Sequence, residues 1–221
     1  MMWRGLAGIV WGPVILGLQT SMASPVAQAA PPDVRDLPAG PASTMVMKLE
    51  KTFLKFDVLH VVVRVDPSTA GELVRIRSGA SRYDRELEGP VADAVRTAPE
   101  TIAEIEFLRD IRLDQFLDGV ISDMSKAERA GWIDRPSYER IRAGLPEWFA
   151  ALSVRGLEKG DRLLYHTHID TLRTTYVTHS GDVLVDQTDI GRANVLALLG
   201  GYYAPGTSFR RGLVRSLWGP R

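Results

Sequence analysis

The sequence predicts an α+β fold, a mainly antiparallel sheet covered on one face by helices. Three observations carry that expectation. A long run near the start, Val46 to Val65, is dominated by β-branched and aromatic residues. Three further strand-like runs succeed one another through turn signals between Gly160 and Gly201. The helical patterns gather between these strand blocks and do not alternate with single strands, which argues against a parallel α/β sheet.

Taken in order, the chain opens on a targeting pattern. Arg4 supplies a positive start, Leu6 to Leu18 an apolar run, and Ala27-Gln28-Ala29 a small-x-small cleavage signature. Residues 1–29 are therefore expected to be a secretory signal peptide cut after Ala29. A membrane anchor is the rival reading, but Gly12, Pro13 and Gly17 interrupt the run. It also falls short of the roughly 20 apolar residues a span needs, so no stable span is expected after cleavage. Residues 30–44 carry Pro31, Pro32, Pro38 and Pro41 and read as an extended Pro-rich linker. Residues 45–221 show no second composition shift and are read as one domain.

In that domain Glu50-Lys51-Thr52 marks a bend that divides the Val46–Val65 run into two strands. Asp66-Pro67-Ser68 ends the run, and a short helix beginning at Pro67 or Thr69 carries Ala70, Leu73, Val74 and Ile76. A second short helix is expected at Val91–Ala98, then a strand with its exit through Ile102, Ile105, Phe107 and Ile111. Two amphipathic helices follow, at about Leu113–Met124 and Ser137–Leu152, the second interrupted by Pro146. Asp114 sits in the first turn of the earlier one, where the helix dipole favours an anion. The late strands are expected at Arg162–Ile169, Arg173–His179 and Val183–Gln187, with turns around Asp170-Thr171 and Ser180-Gly181-Asp182. A helix over Ile190–Leu199 is expected to end at a Gly200-Gly201 C-cap. Ser208 is the expected cap of a last helix holding Leu213, Val214 and Leu217.

Composition excludes several functions. The 221 residues are 45% hydrophobic and include 27 basic and 27 acidic side chains. Loss of Arg4 with the leader leaves 26 basic residues against 27 acidic ones. A near-neutral chain lacks the field that gathers nucleic acid, and Arg210, Arg211 and Arg215 form too small a cluster to change this. The chain has no cysteine, which removes disulfides, thiolate catalysis and lipoprotein attachment. A cleaved chain of about 190 residues can bury a core large enough to stand without them. Export without disulfides suits the bacterial periplasm.

Residue constellations give few catalytic leads. His166 and His168 at i and i+2 share a strand face, and His60 or His179 could complete a metal set; two polar residues on a solvated face is the preferred reading. Asp57 and His60 at i and i+3 point to opposite faces of a regular strand, so a general-base pair is not expected. No G-x-S-x-G surrounds any serine. Tyr138, Trp148 and Phe149 form an aromatic stripe that reads first as core. Tyr202-Tyr203 are expected under the last helix, with Trp218 shielding its end. Neither a metal nor a cofactor is expected.

This order of elements resembles the chalcone-isomerase-like family, particularly its exported bacterial members. The residues carrying the resemblance are Phe53-Leu54-Lys55-Phe56-Asp57-Val58, Phe107-Leu108-Arg109-Asp110, Gly160-Asp161-Arg162-Leu163-Leu164, and Ala193 to Gly200 with Pro205. It spans residues 45–217 and implies an open-faced β-sandwich: a large antiparallel sheet, a helical layer, and a ligand cleft between them.

The enzymes of that family cyclise a chalcone with an Arg and hydrogen-bonding side chains. Their Arg falls near Met45, their strand Thr on Asp57, their helix Tyr and Asn near Phe116 and Asp123, and their late Thr/Ser pair near Gly191-Arg192. Phe lacks the phenolic donor, Met cannot hold a phenolate, and Asp repels an anion. The resemblance therefore implies a non-catalytic protein, like the family members that bind fatty acids through an Arg and a Tyr. The ligand-binding candidates are Arg109, Arg112, Tyr165, Arg173 and Tyr176, with Asp57 and Phe116 at matched cleft positions, and the ligand class is a small apolar or fatty-acid-like molecule. The alternatives are an intramolecular lyase or isomerase with a rearranged site, and an interaction module for an envelope partner.

Overall fold

The computed structural model describes residues 30–51 and 56–219, and the side chains of residues 50, 51, 56 and 57 fall outside that description. The expected signal peptide and the bend residue Thr52 lie outside the described residues. Six strands form one antiparallel sheet in chain order: β1 (Thr44–Lys51), β2 (Phe56–Val65), β3 (Glu100–Phe107), β4 (Arg162–His168), β5 (Thr171–Val177) and β6 (Val183–Ile190). Antiparallel neighbours need no crossover helix, so the helices are free to cover one face. Helices α1 (Pro67–Ser78) and α2 (Glu88–Arg96) fall between β2 and β3; α3 (Leu113–Arg129) and α4 (Arg135–Trp148) fall between β3 and β4. Helices α5 (Arg192–Tyr203) and α6 (Arg210–Ser216) follow β6. The predicted α+β architecture is the one observed.

Register builds the inner face in rows. Met45, Val63, Ala103, Tyr165 and Thr174 lie side by side across five strands. Met47, Val61, Ile105, Leu163 and Tyr176 form the next row, and Leu49, Leu59 and Phe107 the one beyond. These side chains and the facing stripes of the helices make the core. The outer face is polar, with ion pairs Arg162–Glu104 and Arg173–Asp186 and imidazole–carboxylate contacts His60–Glu106 and His166–Glu100. Two outer-face residues, Ile102 and Leu164, are nevertheless buried. The Pro-rich segment, residues 30–44, packs on this side through its 3₁₀ turn. Asp33 caps a 3₁₀ turn over Val34–Asp36, Leu37 is buried, and Arg64 donates to the Leu37 carbonyl at 3.0 Å.

Helix ends follow local chemistry. Asp66 caps α1 by accepting from the Ser68 and Thr69 amides, and Asp134 caps α4 by accepting from Ser137 N–H. α4 stops two residues after Pro146, which removes an amide from its ladder, and a separate 3₁₀ turn covers Ala150–Leu152. The helix expected over 137–152, with a kink or division at Pro146, is thus divided into two elements. α3 runs one turn past Met124, and β6 runs on to Ile190. Ile111 leaves β3 and bridges to Leu157. Ser208 is not the cap of α6: Phe209 holds that position without a side-chain cap bond.

Gly200-Gly201 do not end α5, which continues through them to Tyr203. The reason is interhelical. A β-carbon at Gly200 would stand 2.5 Å from Cβ of Ala127 on α3, so Gly200 lets the two helices meet. Tyr203 is fully buried with its hydroxyl 3.4 Å from Met45 Sδ. Trp218 donates its indole N–H to the Ala80 carbonyl at 3.0 Å, pinning the last turn to the end of α1.

Candidate functional site

Helices α3, α4 and α5 do not seal onto the sheet. They leave a cavity of about 580 Å³ against its inner face, within the range of small-molecule sites. Leu49, Leu59, Ile105 and Leu172 form its floor; Phe116, Met124, Ile141, Leu145, Phe149 and Leu198 form most of its apolar roof. Phe116 stands edge-on between Phe107 and Phe149, at centroid distances of 5.9 and 5.6 Å. These T-shaped contacts hold the aromatic wall in one geometry. Trp148 and Phe149, read from sequence as core, line the cavity; Tyr138 is buried away from it under Arg135.

The polar lining divides in two. Toward solvent stand Arg109, Gln115 and Asp118, while the Asp123–Lys126 pair, with an N–O distance of 2.6 Å, is largely buried. Arg109 is exposed and makes no hydrogen bond or ion pair with the described residues. Deeper lie Tyr165, Thr174 and Tyr202, which are 7%, 4% and 5% exposed. Burial pushes both phenols far above the ordinary tyrosine range, and for Tyr202 the nearby Tyr165 and Asp123 add to the effect. They are neutral at any physiological pH.

The predicted ligand residues therefore separate. Arg109, Tyr165 and Phe116 are brought to the cavity. Arg112 is not: it lies exposed over the start of α3, held to Asp114. Arg173 points to the outer face, where Nε donates to Asp186 at 2.8 Å, because strand alternation places it opposite Leu172 and Thr174. Tyr176 faces inward but is fully buried and donates to Asp161 at 2.5 Å. The side chain of Asp57 lies outside the described residues. Sequence reasoning missed Thr174 and Tyr202. Thr174 was findable as the inward alternate of Leu172, whereas nothing in the helical pattern marks Tyr202 as facing a void.

The positions matched to the chalcone-cyclising enzymes are explained by packing. Met45 is core, Gly191 precedes α5 with φ of 126°, and Arg192 donates to the carbonyls of Ile169 and Arg96. The two β4 histidines lie on the outer face of the sheet, the solvated-face reading preferred from the sequence. His166 is hydrogen-bonded to Glu100 at 2.6 Å, and His168 is exposed at the end of β4. Among the described residues, Glu158, Asp161 and His179 have ligand-type atoms within 4.8 Å of one another. The Asp161 oxygens are already taken by Tyr176, Arg155 and the amides of Glu158 and His179. That cluster is a structural lock.

No protein-family model matches this chain, and no curated protein matches it. Among solved structures, a fatty-acid binding protein of Arabidopsis thaliana matches with a TM-score of 0.51 and 10% sequence identity, over 81% of this chain and 89% of that one. At that identity the likeness speaks for the fold, which is consistent with the chalcone-isomerase-like arrangement. No described helix is long and apolar enough to cross a membrane.

Proposed function

We propose that this chain is a non-catalytic binding protein for a small, apolar, fatty-acid-like ligand held between the sheet and α3–α5. The observation that carries this reading is the cavity itself, about 580 Å³ and walled mainly by aliphatic and aromatic side chains. Burial of an acyl chain there yields roughly 25 cal/mol for each Å² removed from water. Arg109 at the entrance, without an ion-pair partner among the described residues, supplies a cation for a carboxylate. The structural neighbour's description as a fatty-acid binding protein agrees with this reading. Binding is favoured over turnover because the family resemblance puts Met45 and Phe116 at the positions where chalcone cyclisation would need a guanidinium and a phenol.

Displacement of an environment-sensitive fluorescent fatty acid from the purified protein tests the reading. Ala197 is buried and lines the cavity, so Ala197→Phe fills it. Probe binding is expected to fall at least about tenfold with a cooperative melt retained. Unchanged probe binding in that variant, or none in the parent, would remove the proposal.

We also propose that residues 1–29 direct export and are removed, placing the protein in the periplasm as a member of the exported bacterial branch. Expression of the full chain in a bacterium with two membranes, followed by N-terminal sequencing of the periplasmic product, tests this. A start at or next to Ala30 is expected; an uncut cytoplasmic product would refute it.

A further inference from the structure

The inner end of the cavity is more specific than an acyl tail requires. A plain hydrocarbon chain asks only for apolar walls, yet Tyr165, Thr174 and Tyr202 place three hydroxyls there. Tyr165 and Thr174 are directly paired across β4 and β5, and Tyr202 reaches the same space from α5. None of the three hydroxyls has a hydrogen-bond partner among the described residues. None is among the buried polar atoms sealed from solvent without a partner, although the residues themselves are buried. The three oxygens therefore open onto the cavity. Buried hydroxyls are ordinarily satisfied, so their partner belongs to whatever fills it.

Charge says what that partner is. Among the described residues, the cations lining the cavity are Arg109 and Lys126. Arg109 stands at the entrance, and Lys126 is occupied by Asp123. A carboxylate carried to the inner end would be buried without a counter-charge, at a cost its hydroxyl partners do not offset. A neutral oxygen meets no such penalty, and each hydroxyl can donate to it or accept from it. The separation also suits two polar points on one molecule. Phe107, next to the Arg109 entrance, and Ala103, beside Tyr165, are four residues apart on β3, or roughly 13 Å.

Granting the ligand proposed above, we propose that the natural ligand is an oxygenated acyl chain, its carboxylate at Arg109 and a neutral hydroxyl or keto oxygen held by Tyr165, Thr174 and Tyr202. The test compares stearate with its mid-chain hydroxy and keto derivatives by displacement of the fluorescent fatty acid from the full chain. The oxygenated probes are expected to bind about fivefold to tenfold more tightly than stearate, as one or two net hydrogen bonds would give. In the Tyr165→Phe/Tyr202→Phe double variant, which keeps both rings and removes both hydroxyls, this preference is expected to vanish. Thr174→Val, a smaller change, is expected to reduce the preference in part. Equal affinity for all three chains would overturn this inference and leave fatty-acid binding standing, as would a preference that survives the double variant. Binding of no chain at all would remove both.

Discussion

Tyr176 on β5 donates its phenolic hydrogen to Asp161 Oδ2 at 2.5 Å, between two side chains with no solvent exposure. Asp161 also accepts from Arg155 Nη1 at 2.8 Å, from the Glu158 amide at 3.0 Å and from the His179 amide at 2.8 Å. One carboxylate thus ties the segment entering β4 to the end of β5. Asp161→Asn is expected to cost about 3 kcal/mol, because it leaves Arg155 with Glu158 as its one remaining carboxylate partner among the described residues and mismatches an amide nitrogen with N–H donors. Tyr176→Phe, which removes a single donor, should cost about 1–2 kcal/mol. Urea unfolding midpoints at constant slope would check both; an unperturbed Asp161→Asn midpoint would contradict the assignment.

The same corner sets an acid limit. Burial alone would raise the Asp161 pKa, but its hydrogen bonds from Tyr176, the two amides and Arg155 prevail and hold it at about 2, against 3.8 for the free side chain. A group with a lowered folded pKa stabilises the fold fully above its unfolded value and loses that contribution as pH falls toward the folded one. Asp161 should therefore supply about 2 kcal/mol above pH 4 that disappears between about pH 4 and pH 2. Stability curves for parent and Asp161→Asn should converge over that window, and parallel curves would refute the mechanism.

Neighbouring glycines on α5 should respond with opposite sign. A methyl at Gly200 meets Ala127 Cβ at 2.5 Å and Trp132 Cε3 at 3.4 Å, whereas a methyl at Gly201 meets nothing within 4 Å. Gly200→Ala is expected to lose about 1–3 kcal/mol by forcing α3 and α5 apart, despite alanine's better helix propensity. Gly201→Ala should gain about 0.5–1 kcal/mol from that propensity. Thermal melts of the two variants provide the comparison, and equal shifts would show that α3 does not constrain Gly200.

Arg109 should act through charge alone. Arg109→Gln is expected to weaken a fatty acid about threefold to fivefold at low salt and to leave the matching fatty alcohol unaffected, since an exposed ion pair contributes up to about 1 kcal/mol. The deficit should shrink as salt rises, because an exposed charge is screened over about 8 Å at physiological ionic strength. A salt-independent loss, or an equal loss for the alcohol, would place Arg109 in a packing role instead.

Much of the fold was legible because each local signal agreed with the next. Val58 to Val65 reads as a strand from its β-branched content alone, and Ser180-Gly181-Asp182 is the turn it looks like, with Gly181 at φ of 96°. The errors lie where a neighbour overrides the local signal. Gly200-Gly201 looks like a helix stop, yet it is the point where α3 presses on α5. Ser208 looks like a cap, yet it lines the cavity.

By itself, the sequence determined the antiparallel α+β architecture and the absence of cysteine chemistry, since hydrophobic period and composition are local properties. Tertiary structure alone decided which candidates share a cavity. Arg173 and Tyr176 are three residues apart and face opposite sides of the sheet, one toward Asp186 outside and the other toward Asp161 within. Arg109, Tyr165 and Tyr202 are far apart in the chain and line one space. An unfilled volume is a property of how helices rest on a sheet, and no single segment encodes it.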